Sequence, residues 1–304
     1  MNFVLQTTVD AINLGSIYGM SALGIGLLFG VLRVINFAHG DFISIGAYCL
    51  ILPSTQALAV MTIGALPWPL MVVATSCVVM VLALLSDFLV FRPLRTARAG
   101  TVMIASFSLG YLIQHIILML YGSRPKAINL WSGLSMPVEL LGIRIPQIQL
   151  ATIAVTAVLM IVLATILKMT SSGVEMRAAS EDFQMSRFLG VRANRVIALA
   201  VAISGLLAAV VSYLFVAQTG ILSYRMGVPL MLFGFIATVI GGMGSLFGAA
   251  LGGFTVGVAS VVFQALLPEV LRPFRDAFVF AVVILILLVR PQGLIQVRAL
   301  KGRI

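Results

Sequence analysis

Charge is what this sequence has least of. Only 9% of its 304 residues are Asp, Glu, Lys or Arg, and the acidic residues number nine. A soluble domain carries about 25% charged residues, so a water-facing surface is not available to a chain of this length and composition. Cysteine is nearly absent. Cys49 and Cys77 both fall inside apolar runs, which argues against a disulfide framework, and neither has a metal-ligand neighbour at a usable spacing. The two histidines, His39 and His115, lie in different segments. No Ser–His–Asp or paired-carboxylate arrangement follows from the spacings, so the chain is expected to be no enzyme, with no metal and no directly bound cofactor. The phosphate-loop pattern GxxxxGK(S/T) does not occur, which excludes a P-loop ATPase within these residues. Met1–Asp10 contains no Lys or Arg, so the positive start of a signal peptide is missing and the first apolar run reads as a retained span.

What is present is apolar: 61% of the residues. The net charge of +10 does not form one patch but falls in the short gaps between apolar runs, as in a membrane protein and unlike a nucleic-acid binder. A bilayer core takes roughly 20 apolar residues as a helix. Ala11–Leu32 fits one span. The charge-free stretch between Asp41 and Asp87 has room for two, with a turn near Gly64–Pro69. Ala99–Tyr121, Gln147–Leu167 and Val196–Ala217 each fit one. Two more fit between Arg225 and Glu269 around a Gly-rich turn at Gly241–Gly248, and Ala277–Val289 is the short last candidate. The expected fold is an all-α integral membrane protein, a polytopic bundle of about nine (eight to nine) transmembrane helices in a single domain over residues 1–304. Thirteen of the nineteen Lys and Arg residues fall on the side that carries Lys168–Arg195 and the C-terminal tail. By the positive-inside rule that side is cytoplasmic and the N-terminus is outside. Gly15/Gly19, Gly26/Gly30, Gly244/Gly248/Gly252 and Gly253/Gly257 are each spaced by four, which makes smooth helix faces that another backbone can approach.

The longest cytoplasmic gap, 168–195, reads KMTSSGVEMRAASEDFQMSRFLGVRANR. Apolar Met176, Ala179, Phe183, Met185, Phe188 and Leu189 among good helix formers predict an amphipathic helix, and Gly190 can end it. From the residues alone two readings stand: a helix that docks into a partner, or one lying on lipid headgroups. Polar groups inside spans are costly and so are candidates for a solute pathway. Asn13 and Ser16 occur in the first span, Ser106, Ser108, Gln114 and His115 in the fourth, and Ser204 in the sixth. Each also has a structural reading, as a hydrogen bond between or within helices. Asn36, His39 and Asp41 cluster beside Arg33. They read either as a gate built on a non-helical kink, with Gly40 giving backbone freedom, or as a helix start with Asp41 facing the positive end of its dipole and an ion pair.

Three stretches, RVINFAHGDFISIGAY (33–48), GVEMRAASEDFQMSRFLGV (173–191) and GGMGSLFGAALGG (241–253), resemble in order and spacing the permease subunits of branched-chain amino acid ABC transporters, the high-affinity bacterial importers. The resemblance implies an inner-membrane permease that pairs with a second, related permease. Two cytoplasmic ATPases would consume the ATP, and a solute-binding protein would deliver the solute. It also implies that the loop after the fifth span contacts an ATPase. The residues expected there are Glu175, Arg177, Ala178, Ala179, Glu181, Asp182, Phe183, Met185 and Phe188. The alternatives from the composition are an ion-coupled secondary transporter, against which the near absence of acidic residues in span centres argues, and a channel for a small polar solute.

Overall fold

The computed structural model describes residues 2–54, 56, 59–131, 133, 136–140, 143–181 and 183–295. The helices among them are α1 (Asn2–Leu32), α2 (His39–Tyr48), α3 (Trp68–Ser86), α4 (Ala99–Tyr121), α5 (Gln147–Met169), α6 (Ser171–Glu181), α7 (Phe183–Phe188), α8 (Ala193–Thr219), α9 (Gly227–Gly241), α10 (Leu246–Leu266) and α11 (Arg275–Val289). Six of them, α1, α3, α4, α5, α8 and α10, are long and apolar enough to cross a membrane. Their outward faces are apolar as well. Val73, Val81, Ile104, Phe107, Met119, Val158 and Ile161 are all exposed, an arrangement that water would penalise and hydrocarbon requires. The chain is therefore a helical integral membrane protein.

The other three expected spans are helical but shorter. α9 and α11 have 15 residues each and α2 has 10. A helix of that last length is about 15 Å long, half of the roughly 30 Å hydrocarbon core. It ends at Tyr48, and Pro53, which lacks an N–H and disfavours helical backbone in the residue before it, bars a longer helix through this stretch. Beyond Cys49 the chain doubles back instead, with Ile51 bridging Met61 and Leu52 N donating to Val60 O at 2.8 Å. The structure is also not purely helical. β1 (Lys126–Ala127) pairs antiparallel with β4 (Ile221–Leu222), and β2 (Pro137–Leu140) pairs with β3 (Ile143–Pro146), placing Glu139 opposite Arg144. These strands lie between helices in stretches that hydropathy could identify only as connections.

The chain forms two compact units. The first comprises the described residues of Met1–Gly26, Trp131–Thr165 and Phe233–Ile304. Its core is a glycine seam. A Cβ on Gly253 would overlap Gly19 Cα, and one on Gly257 would overlap Gly15 Cα, so α1 and α10 touch backbone to backbone in antiparallel register. Gly248 and Gly252 of α10 bring the same closeness against Gly241 and Ala237 of α9. Thr238 Oγ1 donates across to Ala22 O at 3.0 Å. Without a hydrophobic drive between helices in lipid, such small-residue contacts supply the packing. The second unit comprises Leu27–Leu130 and Ile166–Leu232. In it α2 packs against α3, α4 and α8, and α3 lies along α8. Gly205 of α8 meets Ala83 and Met80 of α3, and Gly46 of α2 meets Ser212 of α8.

Candidate functional site

The second unit gathers most of the polar residues singled out in the sequence around the start of α2. α1 ends at Leu32 and residues 33–38 are non-helical, as expected for a kink. Asn36 Oδ1 accepts from Ala38 N at 3.0 Å, and His39 N donates to Asn36 O at 3.3 Å, which closes the turn into α2. Ser106 Oγ of α4 holds Phe37 N at 3.1 Å. His39 is fully buried, with Nδ1 3.2 Å from Ser204 Oγ of α8. Asp41, in the first turn of α2 as the dipole argument expects, accepts from Gln114 Nε2 of α4 at 2.9 Å. Four segments thus meet at one polar cluster, buried Asn36, His39, Asp41, Ser106 and Ser204 with half-buried Gln114.

Two details differ from the sequence reading. Gly40 has an ordinary helical backbone, and what it supplies is space: a Cβ there would overlap Gly227 O and come within 2.8 Å of Met231 Cβ. The residue with unusual backbone is Arg33, at φ +56°. Its guanidinium does not pair with Asp41 but donates to the carbonyl of Ser180. Gly110, which no pattern flagged, is the floor under Asp41; a Cβ there would overlap Oδ2.

Of the other candidates, His115 is turned away. Its Nδ1 lies 2.8 Å from Tyr111 O, and its ring lies against that of Tyr111, 4.0 Å between centroids and tilted by 37°. Successive helical residues are rotated by about 100°, so Gln114 and His115 cannot both face α2. Ser108 donates back to Ile104 O at 3.0 Å. In the first unit, Asn13 of α1 is buried, and Ser16 donates to Ile12 O at 2.7 Å within its own helix. Among the described residues no three metal-ligating side chains gather.

The cytoplasmic loop expected over 168–195 contains two helices, α6 and α7. On α6, Gly173, Met176 and Ala179 are buried at a three-residue spacing, and the helix packs on α8. Glu175 and Ala178 are half-buried and Arg177 is exposed. Glu181 closes α6 and Phe183 opens α7; Asp182 lies outside the described residues. Met185, Phe188 and Leu189 are exposed, Phe188 at 85%. Gly190 ends α7 at φ +91°, with Val191 N donating to Ser186 O at 3.1 Å. The left-handed residue after a helix is the usual place for glycine.

Two charged sites escaped the sequence reading. Arg95 Nη2 and Asp87 Oδ2 pair at 2.7 Å, with side chains 18% and 8% exposed, and Arg95 also donates to Asn194 Oδ1 at the start of α8. Lys126 is buried, its Nζ donating to the carbonyls of Ser54 and Gln56. Neither pairing is readable from spacing: Asp87 and Arg95 are eight residues apart, which no regular helix brings together, and Lys126 is held by backbone carbonyls.

Comparison with known proteins agrees with this architecture. The family described as the branched-chain amino acid transport system permease component matches residues 7–287. The high-affinity branched-chain amino acid transport system permease protein BraD of Pseudomonas aeruginosa is 30% identical over 299 residues, which cover 96% of this chain and 95% of the relative. LivH of Escherichia coli K12, with the same descriptive name, is 30% identical over 300 residues, covering 96% of each. LivH of Salmonella typhimurium is 29% identical over 299 residues, again covering 96% of each. The family match spans the α1–α2 turn, the helical loop and the α9–α10 turn, and this chain belongs to the family of permease components of branched-chain amino acid transport systems.

Proposed function

We propose that this chain is the transmembrane permease of an ATP-driven ABC importer in the bacterial inner membrane, carrying branched-chain or related amino acids inward. It works beside a second, related permease, with two cytoplasmic ATPases and an external solute-binding protein, and surrounding lipid covers its apolar faces. ATP is consumed by the partner subunits. Nine crossings, with the N-terminus outside and the C-terminus in the cytoplasm, agree with the distribution of Lys and Arg. α9, α11 and the broken α2 then complete the six long spans. The passage switches between outward and inward access, and the polar cluster at the start of α2 serves as its gate.

The observation that carries the ATP-driven reading is the helical pair α6–α7. It stands outside the long spans, buries one face on the rest of its unit, and leaves Met185, Phe188 and Leu189 exposed. An amphipathic helix with a solvent-exposed apolar end suits a groove on a partner. The segment 175–188 is therefore assigned to ATPase contact. Met185→Ala combined with Phe188→Ala is expected to cut recovery of the ATPases with the purified permease about tenfold, as for loss of an interface hot spot of about 1–2 kcal/mol, while leaving membrane insertion intact. Unchanged recovery refutes the docking assignment. In cells, uptake of labelled leucine should follow ATP. If an uncoupler abolishes uptake while ATP is maintained, the chain belongs instead with ion-coupled carriers.

A further inference from the structure

α6 is strapped to its unit at both ends. At its start, Gly173 lets the chain fold back on α5; a Cβ there would overlap the carbonyl of Ile166 and sit 2.6 Å from that of Leu167. Arg177 Nη1 then donates to Leu167 O at 2.6 Å. Leu167 is in the last turn of α5, where carbonyls have no partner within the helix. At the other end the carbonyl of Ser180 is in the same position in α6. It accepts from Arg33 Nη2, 147 residues earlier in the chain. A cation at the negative end of a helix is electrostatically favoured as well as hydrogen-bonded.

Arg33 also sits at the head of the segment that leads into the buried cluster. Its φ of +56° is one that residues other than glycine rarely adopt; its N donates to Phe29 O at 2.8 Å, so the residue caps the end of α1 while its side chain reaches α6. From Asn36 onward the segment beyond it is fastened at each step. Asn36 fastens Ala38 N, Ser106 fastens Phe37 N, and His39 rests on Ser204. Six residues, 33–38, therefore connect the end of α6 to His39, and the last three of them are fastened by hydrogen bonds, which leaves little chain to absorb a displacement as slack.

We propose that Arg33 is a positioning residue that couples α6 to the polar cluster at the start of α2. Anchored on the carbonyl of Ser180, its guanidinium carries a displacement of α6 through residues 33–38 to His39 and Asp41. The inference rests on the assignment of α6–α7 as the ATPase-contacting segment.

The test uses the whole transporter, with its ATPases and binding protein, in vesicles where ATP hydrolysis and labelled leucine uptake are measured on the same sample. With Arg33→Ala the ATPases should co-purify at the wild-type yield and hydrolysis should continue, while leucine moved per ATP falls about tenfold. Arg33→Gly relaxes the backbone but has no guanidinium, and should show the same fall. Arg33→Lys keeps a charged donor on a long stem and should recover part of the ratio. A wild-type ratio in Arg33→Ala overturns the proposal, as does a lower yield of transporter with the ratio unchanged. A normal ratio in Arg33→Gly also overturns it, because backbone strain and not the contact would then be at work. Failure of the docking assignment is seen separately, in the ATPase recovery of the Met185 and Phe188 variant, and not in the leucine-to-ATP ratio.

Discussion

Adding one methyl group at Gly40 sets two effects of opposite sign against each other. Alanine is the better helix former, and within a helix it gains roughly 0.5–1 kcal/mol over glycine. At Gly40, however, the new Cβ would overlap the carbonyl oxygen of Gly227 and lie 2.8 Å from Met231 Cβ. The Gly227 obstacle is backbone at the first turn of α9, which cannot rotate aside as a long side chain can. Overpacking of this kind costs about 1–3 kcal/mol. Separating α2 from α9 would also stretch the bond from Gly227 N to Ser44 Oγ, now 3.1 Å, with a further loss of about 1 kcal/mol. The steric effect wins, and Gly40→Ala should destabilise the protein by roughly 1–3 kcal/mol. Gly100 supplies a matched control. Like Gly40 it is the second residue of its helix, but nothing lies within 4 Å of a Cβ there. Gly100→Ala should be neutral or slightly stabilising. Thermal unfolding of the detergent-purified protein, followed by circular dichroism and by loss of the monodisperse chromatographic peak, compares the two directly. If Gly40→Ala melts at or above Gly100→Ala, the backbone approach of α2 to α9 is refuted.

Two further substitutions probe the polar contacts. Gln114→Leu removes the donor to Asp41 Oδ1 and leaves a buried acceptor short of a partner, at about 1–3 kcal/mol; both melting temperature and leucine uptake should fall, whereas His115→Leu, one residue on but turned away, should leave uptake near wild type. Arg95→Ala strands Asp87, whose side chain is 8% exposed, and should destabilise by about 3–5 kcal/mol. The double variant Asp87→Asn with Arg95→Met should recover most of that loss in the same melting assay, and a double variant as unstable as the single one would show that the charge is not the cause.

Hydropathy placed the long helices well because a lipid-facing helix needs an unbroken apolar run. The start of α4 at Ala99, just after Arg98, follows that rule, whereas α1 continues past Asp10 to Asn2, nine residues before the expected start at Ala11. The glycine spacings were equally informative. Gly15 and Gly19 do meet Gly257 and Gly253, since residues four apart share a helix face. α2 was less legible. A charge-free stretch allows a full span, but the helix ends after Tyr48, and the doubling back at Ile51–Met61 is a contact between residues that hydropathy treats as interchangeable. Glycine at position 40 suggests backbone freedom, but the structure uses its lack of a side chain. Gln114 and His115 are neighbours in sequence, and the rotation of the helix separates them.

The amino-acid sequence by itself determined the solvent of this protein, the positions of its long helices, the seams along which those helices come close, and the presence of an amphipathic helical loop outside them. All of these follow from local composition and period, which act over one helix at a time. Only the tertiary structure decided that Asn36, His39 and Asp41 meet Ser106, Gln114 and Ser204, that Asp87 is neutralised by Arg95, and that Arg33 reaches the end of α6. Those contacts join residues between 8 and 165 positions apart. A hydrogen bond or ion pair depends on distance in space, which the packing of several helices sets together and no single segment encodes.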